Sequence, residues 1–384
     1  MKNKPLLAIF FVVFLDLLGF GIVIPILPYY ANSYGASGLT LGMLMMCYSL
    51  MQFLFSPFWG RVSDKMGRRP VILTCVLGMG GAMVLLGFAN NLVLLFVARL
   101  LAGFFGANLS AASAFIADNT TLENRTKGMG MIGAAFGLGF LFGPALGGIL
   151  STWGYGTVGF VAAGLAFLNF IFAWFILHDA PLTEIERAKR RTHLNLDVLK
   201  QVFANNKTAI PILLFFLVTF SMAHIETTFG LYLLKRFNLD AYHAGLILAL
   251  SAFIMASVQG GGIGKLSKRL GEKKLIVGGS VLMTLALVGV AFSVTVPLFI
   301  LFMVVHTLGY SVTNPSLSST TSKNTPSHLQ GLSLGVYHAG GSLGRILGPL
   351  AAGFVFDQLG IHVPFLVASG VVVVVFVVGF FKLE

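Results

Sequence analysis

The chain of 384 residues is 57% hydrophobic and only 10% charged, with 25 Lys and Arg against 13 Asp and Glu. An ordinary soluble domain is about 25% charged, so a water-soluble fold is excluded. The net charge of +12 would point to nucleic acid in a soluble protein. Here the basic residues fall between long apolar runs, so the chain reads as an all-α membrane protein with no nucleic-acid partner.

Lys2 and Lys4 precede an apolar run from Leu6 to Leu27 that is too long for a signal peptide and lacks a small-residue cleavage site, so the chain is expected to open with a transmembrane helix. Hydropathy predicts about twelve helices, near 6–30, 39–58, 71–89, 92–117, 128–151, 157–177, 208–234, 242–263, 274–293, 297–319, 330–355 and 362–381. At about 1.5 Å per residue such runs cross roughly 30 Å of hydrocarbon. An unpaired backbone amide in lipid costs several kcal/mol, so each run must be helical and each turn must lie at a membrane face. Cys47 and Cys75 lie inside apolar runs without metal-ligand spacing and read as small packed residues.

Between the second and third runs lies a charged hairpin, Gly60-Arg61-Val62-Ser63-Asp64-Lys65-Met66-Gly67-Arg68-Arg69-Pro70. About 204 residues later, Gly264-Lys265-Leu266-Ser267-Lys268-Arg269-Leu270-Gly271-Glu272-Lys273-Lys274 repeats its glycines, its serine and most of its basic positions. A second pair agrees in offset: Gly139-Phe140-Leu141-Phe142-Gly143-Pro144 matches Gly344-Arg345-Ile346-Leu347-Gly348-Pro349. The chain is therefore two copies of one unit: a six-helix bundle over 1–177, a charged amphipathic linker over 178–207 with an interfacial helix or a plain tether, and a second bundle over 208–384. Glycines four apart let another helix approach closely, and the proline allows a bend, so these elements suggest a paired hinge.

The basic residues have a side. Those of the hairpins, the linker and the two chain ends all fall at alternate connections, while the opposite connections hold only Lys235 and Arg236. This is the positive-inside pattern, and it puts both termini and both hairpins in the cytoplasm.

Ionisable groups inside the spans are few: Asp16, Arg99, Glu226 and Arg345, with His224, His306 and His338. A charge at the centre of a span costs at least about 2.5 kcal/mol on insertion scales, so each needs a partner or a wet cavity. A carboxylate whose surroundings change between two conformations takes up a proton on one side and releases it on the other. Asp16 and Glu226 suit that role. The rival reading of Asp16 is a structural hydrogen bond between helices, and that of Glu226 a permanent ion pair with Arg345. Arg99 reads as a cavity-lining group that tunes a carboxylate.

These motifs carry a resemblance. Gly60 to Arg69 matches the loop signature G-x-x-x-D-x-x-G-R-R of the major facilitator superfamily. Leu15-Asp16-Leu17-Leu18-Gly19 with Pro25 and Pro28 is similar to the first helix of its twelve-helix drug:proton antiporters, Arg99 to Gly106 resembles their fourth-helix element, and Gly133 to Gly148 their fifth-helix antiporter motif. The first half resembles tetracycline exporters, and His224-Ile225-Glu226-Thr227-Thr228-Phe229 looks more like quinolone-type multidrug exporters. Those relatives carry an acid in the tenth helix where this chain has Gly309-Tyr310-Ser311-Val312-Thr313-Asn314.

The resemblance implies two pseudo-symmetric six-helix bundles rocking about a central site. It implies a cytoplasmic gate of Gly60, Asp64, Gly67, Arg68, Arg69 and Asp118, with Asp64 facing a helix N-terminus of the other half. Because Lys268 stands at the position of Asp64 in the second copy, the two gates are not equivalent. Gly139, Gly143, Pro144 and Gly147, with Gly348 and Pro349, would form the hinge and antiporter elements. The expected function is export of lipophilic small molecules in exchange for protons across the inner membrane, by a monomer. No nucleotide-binding loop is present, so an ion gradient rather than a cofactor is expected to supply energy. The alternative within the fold is a proton symporter or facilitator for a sugar, organic acid or other metabolite, against which the antiporter-type fifth helix argues. An integral-membrane enzyme would need a metal cluster or an activated nucleophile, and neither spacing is found.

Overall fold

The structure, a computed structural model, describes residues 4–120, 122–178, 205–326 and 329–383. Among them twelve helices are long and apolar enough to cross a membrane, and no strand occurs. The linker assigned to 178–207 and its interfacial helix lie almost wholly outside the described residues.

The first repeat begins with α1 (Lys4–Val23) and α2 (Leu27–Ser33). The expected single run over 6–30 is thus two helices, because Pro25 and Pro28 interrupt the hydrogen-bond ladder between them. Then come α3 (Gly38–Met66), α4 (Arg68–Gly87), α5 (Leu92–Phe105), α6 (Leu109–Asp118), α7 (Leu122–Ser151) and α8 (Tyr155–Ile176). The second repeat holds α9 (Asn206–Phe237), α10 (Ala241–Ser257), α11 (Ile263–Leu270), α12 (Glu272–Ala291), α13 (Val296–Lys323), α14 (Gln330–Leu359) and α15 (Val363–Lys382).

The hairpins differ from their expected form. Residues 60–66 continue α3 as helix and the turn is Gly67 alone, at φ 99°; in the second copy it is Gly271 at φ 77°. Both angles lie in the region that favours glycine, and the charged residues around them form helix readily once the span has nucleated it. Each hairpin is therefore two helices meeting at one residue.

Two spans are locally distorted. A 3-10 turn at Gly106–Asn108 separates α5 from α6, and a π turn at Val258–Gly262 separates α10 from α11. Such departures inside spans occur where protein groups can satisfy the displaced backbone. Around the first, Trp59 Nε1 donates to the Phe104 carbonyl at 2.8 Å and Gln52 Nε2 to that of Gly106 at 3.0 Å.

Two compact units result. The first holds residues up to Gly35, the first repeat from Cys47 onward, and Asp240–Ala249; the second holds Ala36–Met46, the second repeat up to Leu239, and the chain from Leu250. Their internal packing is alike. In the first, α1 packs on α7 and α8, and α4 on α5 and α8; in the second, α9 packs on α14 and α15, and α12 on α13 and α15. A tyrosine clasps the end of the fourth or twelfth helix in each: Tyr30 donates to the Ala89 carbonyl at 2.6 Å, and Tyr232 to that of Val290 at 3.1 Å. The large side chains left exposed, such as Phe175 and Phe381, are apolar and suit a lipid surround.

Candidate functional site

Asp16 sits in the middle of α1 and turns toward the 3-10 turn. Its Oδ2 accepts a hydrogen bond from Asn108 Nδ2 at 3.3 Å, and its buried Oδ1 has no partner. Beside it is a cavity of about 30 Å³ lined by Asp16, Phe20, Tyr48, Gln52, Asn108 and Phe136, among others. That is room for about two waters, far below the roughly 300 Å³ or more of a drug-sized pocket. In this conformation the site can hand a proton between water and Oδ1, and it has no space for a large ligand. Asn108 was missed from the sequence, although an Asn inside an apolar span and two residues after a glycine was a visible signal.

Arg99, on α5, is 4% exposed. Its guanidinium lies over the Tyr48 ring, 4.5 Å from the centroid, and 5.9 Å from that of Phe20, while the two rings stack on each other at 4.7 Å. Nε has no hydrogen-bond partner, and no carboxylate of the described residues pairs with Arg99. Arg99 therefore shares two aromatic walls with the cavity of Asp16 without bonding to that acid, and cation-π attraction takes the place of an ion pair.

In the second unit Glu226 is exposed on α9, and no ion pair with Arg345 forms among the described residues. Arg345 instead donates to Ser342 Oγ at 3.4 Å. Glu226 still lies within Coulombic reach of Arg345 and of Tyr310, both in its own unit. Tyr310 accepts from Asn314 Nδ2 at 3.2 Å, and Tyr337 donates to the Asn314 carbonyl at 3.3 Å while stacking on Phe215 at 3.8 Å. Of the tenth span it is thus Tyr310, itself bonded to Asn314, that lies within reach of Glu226. His224 and His306 are buried, each with an unpartnered Nε2, and His338 is exposed.

The gate residues of the first hairpin come together. Arg68 reaches Asp64 at 2.6 Å, Asp118 at 3.1 Å and Ser63 Oγ at 2.5 Å. All four belong to the first unit. Arg69 donates to the Trp174 carbonyl at 2.7 Å and stacks on that indole. Gly60 meets Ser110 at ordinary distance, and Gly67 is the turn itself.

The paired glycine elements pack rather than break. A Cβ on Gly147 would stand 2.0 Å from the Ile22 carbonyl oxygen, while Gly139 and Gly143 press on α1 and Gly348 presses on α9 in the same way. The helices run on through Pro144 and Pro349.

Known proteins resemble this chain over nearly its whole length. The sequence pattern of the Major Facilitator Superfamily matches residues 9–337 and 262–384. The chain belongs to the Major Facilitator Superfamily. It is 31% identical to multidrug resistance protein 2 of Bacillus subtilis (strain 168) across 94% of this chain and 91% of that protein. It is 30% identical to the class D tetracycline resistance protein of Salmonella ordonez across 93% and 90%. Among solved structures, the nucleoside transporter NupG superposes with a TM-score of 0.79 at 18% identity, covering 99% of this chain and 100% of that one, which speaks for the fold alone. The protein is a multi-pass membrane transporter of small molecules, and among the described residues no group of side chains could hold a metal ion.

Proposed function

We propose that this transporter exports lipophilic small molecules in exchange for protons, with Asp16 carrying the exchanged proton. The carrying observation is the free Oδ1 of a mid-span carboxylate beside a water-sized cavity. A proton placed there neutralises the acid, and a change in the surroundings of the site releases it. Resistance proteins for drugs and for tetracycline are the chain's relatives at 31% and 30% identity, which supports export and a lipophilic cargo. Glu226, exposed within its unit and near Tyr310 and Arg345, is the second candidate for proton or cation contact.

In this reading the bundles over 1–177 and 208–384 rock as two bodies in the cytoplasmic membrane of a bacterium, both termini face the cytoplasm, and a monomer works on the proton gradient without a cofactor. The distribution of Lys and Arg supports that orientation. Proteoliposomes holding a pH dye test it. Adding a lipophilic drug to the wild type should drive proton movement opposite to the drug, and Asp16→Asn should abolish that exchange while leaving the amount of inserted protein unchanged. Full exchange in Asp16→Asn would remove the acid from the mechanism. Protons moving with the drug would replace export by symport.

A further inference from the structure

A helix start leaves its first amide hydrogens without partners inside the helix. At the start of α3 three of these are filled, by two different residues. Ser37 Oγ, at the N-cap, accepts from the Thr40 amide at 3.1 Å. The Gly38 and Leu39 amides donate to Oδ1 and Oδ2 of Asp357, each at 2.8 Å. Asp357 lies near the end of α14, 319 residues from Gly38, yet residues 36–46 and Asp357 belong to the same compact unit. Two charge-assisted bonds to a helix start, at its positive dipole end, make a strong local tie.

The backbones beneath this tie touch. A Cβ on Gly42 would stand 2.2 Å from the Pro349 oxygen, and one on Gly353 would stand 2.2 Å from that of Gly38. A similar seam lies in the first unit, where Gly245 of α10 meets Pro144 and Gly148 of α7. There the helix is capped locally, by the residue just before it: Asp240 Oδ1 accepts from the His243 amide at 3.2 Å and lies 2.6 Å from His243 Nδ1. One seam has a carboxylate reaching across from the other repeat, and the other seam has a local cap.

We propose that Asp357 is a latch for one end state of the transport cycle. By sequence α3 belongs to the first repeat and α14 to the second, so a bond between them on the face opposite the hairpins persists only while that face is closed. Opening that face must hand both amides and both carboxylate oxygens to water. The latch thus biases which face opens, and it does so at only one of the two matched seams. It rests on the reading that the two repeats rock against each other, and it is independent of what the cargo is.

The test uses the full chain in lipid nanodiscs, with Cys47 and Cys75 replaced and spin labels at Met43→Cys and Phe354→Cys, both exposed and both in the second unit. The wild type should give one dominant short distance. Asp357→Asn should enlarge a longer-distance population at least threefold, and Asp357→Glu should fall between the two. Leu39→Pro removes one donor in the first helical turn, where proline is tolerated, and should move the distribution the same way without touching the acid. Distances unchanged in both Asp357→Asn and Leu39→Pro would overturn the latch. Distances that respond in a protein that moves no drug in proteoliposomes would leave the latch standing and remove the export reading instead.

Discussion

The two hairpins occupy the same place in their repeats and are both basic, yet the position just after the turn glycine carries opposite charges in the two. In the first, a cation on the hairpin, Arg68, bonds Ser63 and an anion at the end of the fourth span, Asp118. In the second, an anion at the matching position, Glu272, accepts from Ser267, which matches Ser63, from Ser319 and from Lys323 at the end of the tenth span. In both copies a charge pair ties the helix after the turn to the end of the neighbouring span, with the sign reversed between them. Burial is what separates them. The Arg68 and Asp118 side chains are 8% and 6% exposed, whereas those of Lys323 and Glu272 are 64% and 19% exposed. The first cluster also holds Asp64, where the second has an exposed Lys268 that takes no part in the cluster around Glu272.

Breaking the buried pair should have the largest effect. Arg68→Leu takes away the guanidinium that bonds Asp118, Asp64 and Ser63 together, and removing one partner of a buried ion pair destabilises by about 3–5 kcal/mol. The apparent melting temperature in detergent should fall by many degrees, and an unchanged value would mean that Asp118 is satisfied without Arg68. A sharper version rebuilds the second cluster inside the first. The triple variant Asp64→Lys, Arg68→Glu and Asp118→Lys restores a pair of inverted sign, and it should recover at least half of the loss measured for Arg68→Glu alone. No recovery would show that the first site needs the planar, multiply bonded guanidinium itself and not merely a pair.

How much of this could be read from the chain divides along physical lines. Hydrocarbon thickness acts on every run alike, so the number of spans and the repeat were legible from apolar length and glycine spacing. The inverted charge was also in view, because Glu272 aligns with Arg68, but the meaning of that alignment depends on Asp118 and Lys323 arriving at the same depth. Residues 60–66 read as a turn because they are charged, yet charge does not stop a helix that is already nucleated, and only Gly67 does. The ion pair between Glu226 and Arg345, the rival reading of that acid, does not form among the described residues, and for a different reason. Belonging to one unit brings the two charges within Coulombic reach, but Glu226 is exposed and Arg345 turns to Ser342 Oγ instead. Asp357 lay beyond reach for a similar reason, since a cap contributed by a residue 319 positions away exists only after two helix ends meet.

The smallest effect belongs to the second cluster, and its size is what gives the comparison its meaning. Glu272→Gln removes the negative charge but keeps an oxygen that can accept from Ser267 and Ser319, so the loss falls mainly on the exposed Lys323 ammonium. Exposed pairs contribute about 0–1 kcal/mol because water and salt screen them, and Lys323 can turn outward into solvent. The melting temperature of Glu272→Gln should stay near the wild-type value, and the small difference should shrink further as salt is raised. A loss as large as that of Arg68→Leu would mean that Glu272 acts from a dry site. In that case burial would not distinguish the hairpins, and the sign of the charge would be the property that the two repeats have divided between them.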